Sequence, residues 1–534
     1  MDITCDFVEI LKIVRKSTYK VLSDFIFNFQ DWDFQYTIPA RWSEYRARIP
    51  EYFHYDKYMQ GYISLEVREE TSAPNSITIT SKERSEGKVT QTQFYNDKVD
   101  FQENRFRWAT KDVPAFKEEP FMTTYKDYIS KINFELAFTK FPNQAIKNYM
   151  GSWQDINNSY VENENFGGEI KGNGHLKQKV AELISGKESP EEKITAIHQY
   201  VRDNILWDGV TRKFVNTSLR KVMEEKKGNS AEVNLLMASM LEKAEIEVYA
   251  VLISTRDNGF VREALPISSQ FNNVICKVMV GDKQILLDAT QKLLPIGVLP
   301  ERCLNGQGLV ISKNGYSWVP LTTPTKSRTL TSADLTLSDG GDFSGKISID
   351  RTGYFAERER RKYISKGEVE YIKSFIGSRP WQVSKSNFEN TNQLSASLKE
   401  NHEINIGEHS TVAGDLIYFN PFFLYRVEEN PFKSEAREYP VDFGSPFDHV
   451  HFIKITIPAG YAIEELPAAK AVALTNNSGK FLFNVTQNNG IITVTSNVQI
   501  NKGLFAQTEY QSLREFYAQV VAKQAEQIIL KKKK

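Results

Sequence analysis

The residues best placed to do chemistry open a helix. In Lys227-Gly228-Asn229-Ser230-Ala231-Glu232, a glycine and two small polar residues precede apolar residues at helical spacing, Val233, Leu236, Met237, Met240 and Leu241. A nucleophile at that point would be activated by the helix dipole. Ser230 is the hydroxyl in the slot, and its neighbours also fit a plainer role. Asn229 with Glu232 forms a capping box, which is sufficient reason for these residues at a helix start.

Other reactive side chains are scattered. Cys5, Cys276 and Cys303 stand far apart in no CxxC pair, which argues against a disulfide framework and a zinc site. They read as small buried or partly buried thiols. His198 follows Ile197 on an amphipathic helix and reads as a boundary or surface residue. His449 and His451, after Asp448, leave one face of a strand. Two imidazoles could begin a metal site, but no third ligand lies nearby in sequence. A solvent-facing strand is expected, with no metal and no cofactor.

The elements that must position these groups form three successive patterns. Residues 20–140 alternate in Tyr, Phe, Ile and Val between Pro, Gly and Asn breaks, as in residues 21–29, 42–50, 62–70 and 128–138. They predict a partial antiparallel β-sandwich over 1–142. Over 143–324 the period becomes helical. Ser189-Pro190-Glu191-Glu192 is an N-cap with proline at the first turn, and Ile194, Ile197, Val201 and Ile205 form one stripe. Three strands follow at 248–254, 272–280 and 283–290, the last two joined by the hairpin signal Gly281-Asp282. This order is α+β. From 325 to 534 β patterning returns. It is interrupted by a helix over 354–376, whose run 357–362 reads as a solvated face. A final helix carries Leu513, Phe516, Val520 and Val521, and Lys531 to Lys534 follow it as cations suited to the dipole.

Length and charge bound the whole. At 534 residues the chain needs about three domains. Its 67 basic and 67 acidic residues leave no net field to attract a polyanion, so nucleic acid is not an expected partner. No apolar run reaches the roughly 20 residues of a membrane-spanning helix. The opening residues interrupt their apolar positions with Asp6, Glu9 and Lys12, so no export signal is expected as the chain is written.

Residues 228–241, Phe271-Asn272-Asn273-Val274-Ile275 and Leu286-Leu287-Asp288-Ala289-Thr290 together resemble the transglutaminase-like superfamily. Its fold is papain-like, and its catalytic residues come in the order Cys, His, Asp. The resemblance places Ser230 at the cysteine position (Asn229 if the register slips by one), Asn273 at the histidine and Asp288 at the acid. Asn273 follows Ser230 by 43 residues and Asp288 follows by 15 more. Residues 41–46, 254–259 and 294–308 are further similar to bacterial envelope proteins in which such a domain lies between two β-domains of unknown function. That likeness implies export to the periplasm or envelope, and relatives that begin earlier with a signal peptide.

Two of the three positions depart from the pattern. A hydroxyl is a weak nucleophile without a base, and an asparagine amide cannot accept and return a proton near neutral pH. The degenerate positions Ser230, Asn273 and Asp288 are therefore expected to be non-catalytic. The expected function is a binding or scaffolding protein of the bacterial cell envelope, its partner an unidentified peptide, protein or glycan. The alternative is a peptidase, amidase or acyltransferase of the same superfamily, acting through Ser230 or from a site elsewhere.

Overall fold

The computed structural model describes residues 29–84, 92–149, 151–323 and 325–533. Cys5, the opening residues and the strand expected at 21–29, except Phe29, lie outside the described residues. The chain divides into two compact units. One runs to Phe116 and includes Ile129–Gly151, and the other joins Lys117–Tyr128 to everything from Ser152 onward.

In the first unit, strands Ala40–Pro50, Thr92–Val113 and Val67–Arg84 form one antiparallel sheet. Strands Trp32–Asp33, Lys131–Thr139 and Phe53–Gln60 form another, with Lys147–Asn148 paired to it. Period-two alternation sends Ala47 and Ile49 inward with Phe106, Trp108, Ile132 and Phe134. Arg46 and Arg48 take the opposite face. Phe106 and Trp108 stack 5.2 Å apart.

In the second unit, a five-stranded antiparallel sheet runs in the order Lys283–Leu287, Asn273–Val280, Val248–Ile253, Gln307–Ile311, Ser317–Pro320. Its two faces bury different sets of residues. Ala250, Leu252, Val274, Cys276 and Val278 meet the apolar side of helix Ser230–Lys243. Val251, Ile253 and Ile275 meet Leu294, Leu299, Cys303 and Tyr354 on the other. The Gly281-Asp282 connection is the expected hairpin, with Gly281 at φ 58°. Both capping boxes also form, Ser189 with Glu192 ahead of helix Pro190–Asn204 and Asn229 with Glu232 ahead of Ser230–Lys243.

The C-terminal part is built on an eight-stranded sheet. Its order is Trp381–Glu389, Leu398–Ile406, Phe343–Thr352, Ser327–Leu337, Phe447–Thr456, Ile491–Ile500, Gly479–Asn488, Lys470–Ala473. Ser327–Leu337 and Phe447–Thr456 pair in parallel. The helix expected at 354–376 is two, Gly353–Lys366 and Glu368–Ile376, broken at Gly367 with φ 76°. Its charged run is not simply a solvated face, because Glu357 and Arg360 are each 2% exposed. The Arg360 guanidinium is drawn under the chain by three carbonyls, those of Asn390, Gln393 and Ala396.

The last helix, Tyr510–Gln524, buries Leu513, Phe516 and Val520. The lysines after it do not cap it: Lys531 and Lys532 belong to strand Ile528–Lys532, where apolar Ile528 and Leu530 alternate into the core. No helix among the described residues is long and apolar enough to cross a membrane.

Candidate functional site

Ser230 sits in the first turn of its helix, fully buried. Its Oγ accepts from the Arg212 amide at 2.9 Å and donates to the Arg212 carbonyl at 3.2 Å. The hydroxyl thus works as a clamp on the loop ahead of the helix. The adjoining cap is equally committed. Glu232 accepts from the amides of Asn216, Thr217 and Asn229, while Asn229 Oδ1 accepts from the Glu232 amide. The Ser230 hydroxyl is thus held from both sides and removed from solvent.

Asn273 opens the strand Asn273–Val280 and pairs with Ile253. Strand parity puts Val274 and Cys276 toward the Ser230 helix, where Cys276 donates to the Asn234 carbonyl at 3.1 Å. Asn273 takes the opposite parity, fully buried, with Nδ2 3.8 Å from Cys303 Sγ and no partner at Oδ1. Among the described residues no hydrogen bond joins Ser230 to Asn273 or Asp288.

Asp288 is held at a strand end by local turn bonds. Its Oδ1 accepts from the Thr290 amide at 2.7 Å and from the Thr290 hydroxyl. Oδ2 accepts from Arg302 at 3.3 Å and from Cys303 at 3.6 Å. The Arg302 guanidinium lies 4.3 Å over the Trp207 ring. Trp207 pairs with Gly228 just ahead of the Ser230 helix.

Cys303 therefore bridges Asn273 and Asp288. In sequence it sits in a turn with no histidine nearby, so nothing local marks it as a neighbour of Asp288. Only closure of the chain through the turn Glu301–Cys303 brings it back. Complete burial and the Asp288 charge push its thiol well above the ordinary cysteine range. Burial and the neighbouring carboxylate both favour the thiol over the thiolate, the form that attacks a carbonyl.

The histidine expectations need correction. His198 is 2% exposed, not on the surface, because the helix Pro190–Asn204 packs its flank against the Asp288 turn. Its Nε2 lies 3.3 Å from the Asp288 carbonyl, and burial pushes its pKa down to about 4, so the ring is neutral. His449 and His451 do share a strand face, but it is the core face with Ile453 and Ile455. His449 stacks on Phe355 and His451 meets Phe422 edge-on. Burial pushes their pKa values down to about 4 and about 3. Among the described residues no three His, Cys, Asp or Glu side chains gather as metal ligands.

A buried ionic group in the C-terminal part had no sequence signal. Arg351 bonds Glu400 and Tyr425, and Tyr371 OH donates to Glu400 at 2.9 Å. Ser386 Oγ lies 2.8 Å from His402 Nδ1, and Phe375 stacks on that imidazole at 4.4 Å.

With this geometry in place, the comparisons define the class. Residues 177–279 match the transglutaminase-like superfamily, a span that includes Ser230 and Asn273 and ends before Asp288. Residues 415–530 match a domain of unknown function with solved structure, DUF3858. The chain therefore carries a transglutaminase-like, papain-fold segment followed by a DUF3858 segment. A crystal structure from Parabacteroides distasonis, titled a "putative protease", is similar over 94% of this chain and 74% of that one, at 12% identity and a TM-score of 0.50. A second, from Cytophaga hutchinsonii and titled a "putative cysteine protease", covers 55% of this chain and 88% of that one at 11% identity and a TM-score of 0.20. At 12% identity the first likeness is one of fold. No curated protein matches the chain.

Proposed function

We propose that this is a transglutaminase-like protein without triad chemistry, acting by binding or scaffolding. The observation that carries this reading is the Ser230 hydroxyl, buried and bonded to both the amide and the carbonyl of Arg212. Asn273 and Asp288 support it, since Asn273 Nδ2 and Asp288 Oδ2 both face Cys303. The organisation we favour is three domains, 1–142, 143–324 and 325–534, with a sandwich first and a β-rich domain last. The similarity of residues 41–46, 254–259 and 294–308 to envelope proteins supports a place in the bacterial envelope. A peptide, protein or glycan is the proposed class of partner.

The test is incubation with glutamine peptides as acyl donors and an amine or water as acceptor, for the parent protein, Ser230→Ala and Ser230→Cys. The expected result is no turnover that Ser230→Ala abolishes and none gained in Ser230→Cys, because Ser230→Cys restores a nucleophile without a base. Turnover that Ser230→Ala abolishes would overturn the reading.

A further inference from the structure

A second hydroxyl stands at the edge of the same domain in a very different setting. Ser268 begins the short turn Ser268–Gln270 that leads into the Asn273 strand, and it is half-buried rather than sealed. Its Oγ lies 2.9 Å from Tyr160 OH and 3.5 Å from Lys213 Nζ. The same Nζ donates to the Ser268 carbonyl at 2.7 Å, which fixes the amine beside the hydroxyl. Three elements distant in sequence supply these groups: the helix Trp153–Glu162, the loop after Arg212 and the turn at 268.

Their supports are rigid. Phe214 stacks on Tyr160 at 5.1 Å, so the residue after Lys213 is anchored to the ring whose hydroxyl meets Ser268. Gln270 accepts from the Arg262 amide at 2.6 Å and donates to the Leu265 carbonyl at 2.8 Å, and its own carbonyl accepts from Asn258. The loop bearing Ser268 is therefore tied at Gln270 as well as at Ser268.

Lys213 is also unusual in its electrostatics. Among the described residues no carboxylate stands within ion-pair reach of it, and Tyr160 is the titratable group facing it across Ser268. Burial alone pushes its pKa down to about 8, which gives an appreciable free-amine population near neutrality. A lysine that can shed its proton beside a serine hydroxyl is the arrangement of a Ser–Lys base pair.

We propose that Ser268 is an activated nucleophile with Lys213 as its base and Tyr160 as its orienting partner, a site for acyl transfer from esters or amides. Lys213 as the free amine takes the Oγ proton while the bond from Oγ to the carbonyl carbon forms. The ammonium then gives that proton to the leaving alkoxide or amine as its bond to the carbonyl carbon breaks. A water molecule, deprotonated by the same amine, hydrolyses the acyl-serine to a free acid and restores the hydroxyl. This site is separate from the triad positions, and its chemistry does not depend on Ser230.

The experiment is labelling of the full chain with a fluorophosphonate probe, the modified residue located by peptide mass spectrometry, for the parent, Ser268→Ala, Lys213→Arg and Ser230→Ala. The expected result is a label on Ser268. It is lost in Ser268→Ala, and it is slowed at least about 10-fold in Lys213→Arg, which keeps the charge and cannot act as a base near neutrality. The labelling rate should rise with pH through about 8, and Ser230→Ala should label like the parent. No label at Ser268, or one whose rate Lys213→Arg leaves unchanged in a protein with parental circular dichroism, would overturn the proposal. A label on Ser230 would instead overturn the inert reading of the triad positions and leave Ser268 to be judged on its own label.

Discussion

Sγ of Cys303 lies 3.6 Å from Oδ2 of Asp288, so this carboxylate meets a thiol and not an imidazole. The contact is fully buried and is shared with the Arg302 guanidinium, which the Trp207 ring covers. A carboxylate partnered in this way serves the fold. It also holds the thiol in its protonated form, because a second negative charge beside Asp288 in a dry site is costly.

Cys303 should accordingly be inert in the native protein. Alkylation by iodoacetamide at pH 8, followed at each cysteine by mass spectrometry, is expected to be at least about 100-fold slower at Cys276 and Cys303 than in urea, since each thiol reacts only after an opening that costs several kcal/mol. Rapid labelling of native Cys303 would show that its burial and its bond to Asp288 do not govern its chemistry.

Three histidines whose pKa values burial pushes down make stability depend on pH in a defined direction. His198, His449 and His451 have folded pKa values pushed down to about 4, 4 and 3 by burial, from an ordinary value of 6.5. The unfolded chain therefore binds their protons first. Stability is whole above about pH 6.5 and falls as pH drops below it, by at most about 1.4 kcal/mol per pH unit for each histidine. Urea midpoints between pH 7 and 5 should decline, and His198→Gln and His451→Gln should each flatten that decline. An unchanged slope in both variants would remove the histidines as its cause.

Gly228 is fixed by the cap it precedes. A Cβ there would stand 2.9 Å from both Cβ and Oε2 of Glu232, and 3.2 Å from Val222. Since Glu232 holds three amides, it cannot step aside without releasing them. Gly228→Ala should cost about 1–3 kcal/mol, read from a shifted thermal midpoint, the scale of overpacking a tight site. A neutral substitution would mean that the cap yields freely.

How far this was legible in the sequence follows from the range of the forces involved. The two capping boxes and the Gly281-Asp282 hairpin are local and were readable from residues three or four apart. The parity that separates Cys276 from Asn273 was also readable, because strand geometry fixes it. His198, Arg360 and Cys303 were not, since each owes its surroundings to chain tens of residues away that covers it. His449 and His451 show the same limit. Their shared face was evident from spacing, but whether that face meets water or core depends on which sheet the strand joins.

The Arg351–Glu400 pair tests how such a buried group is balanced. The two side chains are 4% and 0% exposed, and they bond across neighbouring strands of the large sheet. Burial works to raise the Glu400 pKa, and His402, Arg351 and Tyr371 outweigh it and hold the carboxylate below its usual range. Arg351→Met should then cost about 3–5 kcal/mol, because it strands a charge out of water. In the double variant Arg351→Met/Glu400→Gln, no charge remains to be stranded, so most of that loss should return. Urea unfolding of the parent, both single variants and the double variant measures the difference. Equal losses in Arg351→Met and in the double variant would mean that lost packing around the arginine, not the unpaired carboxylate, sets the cost.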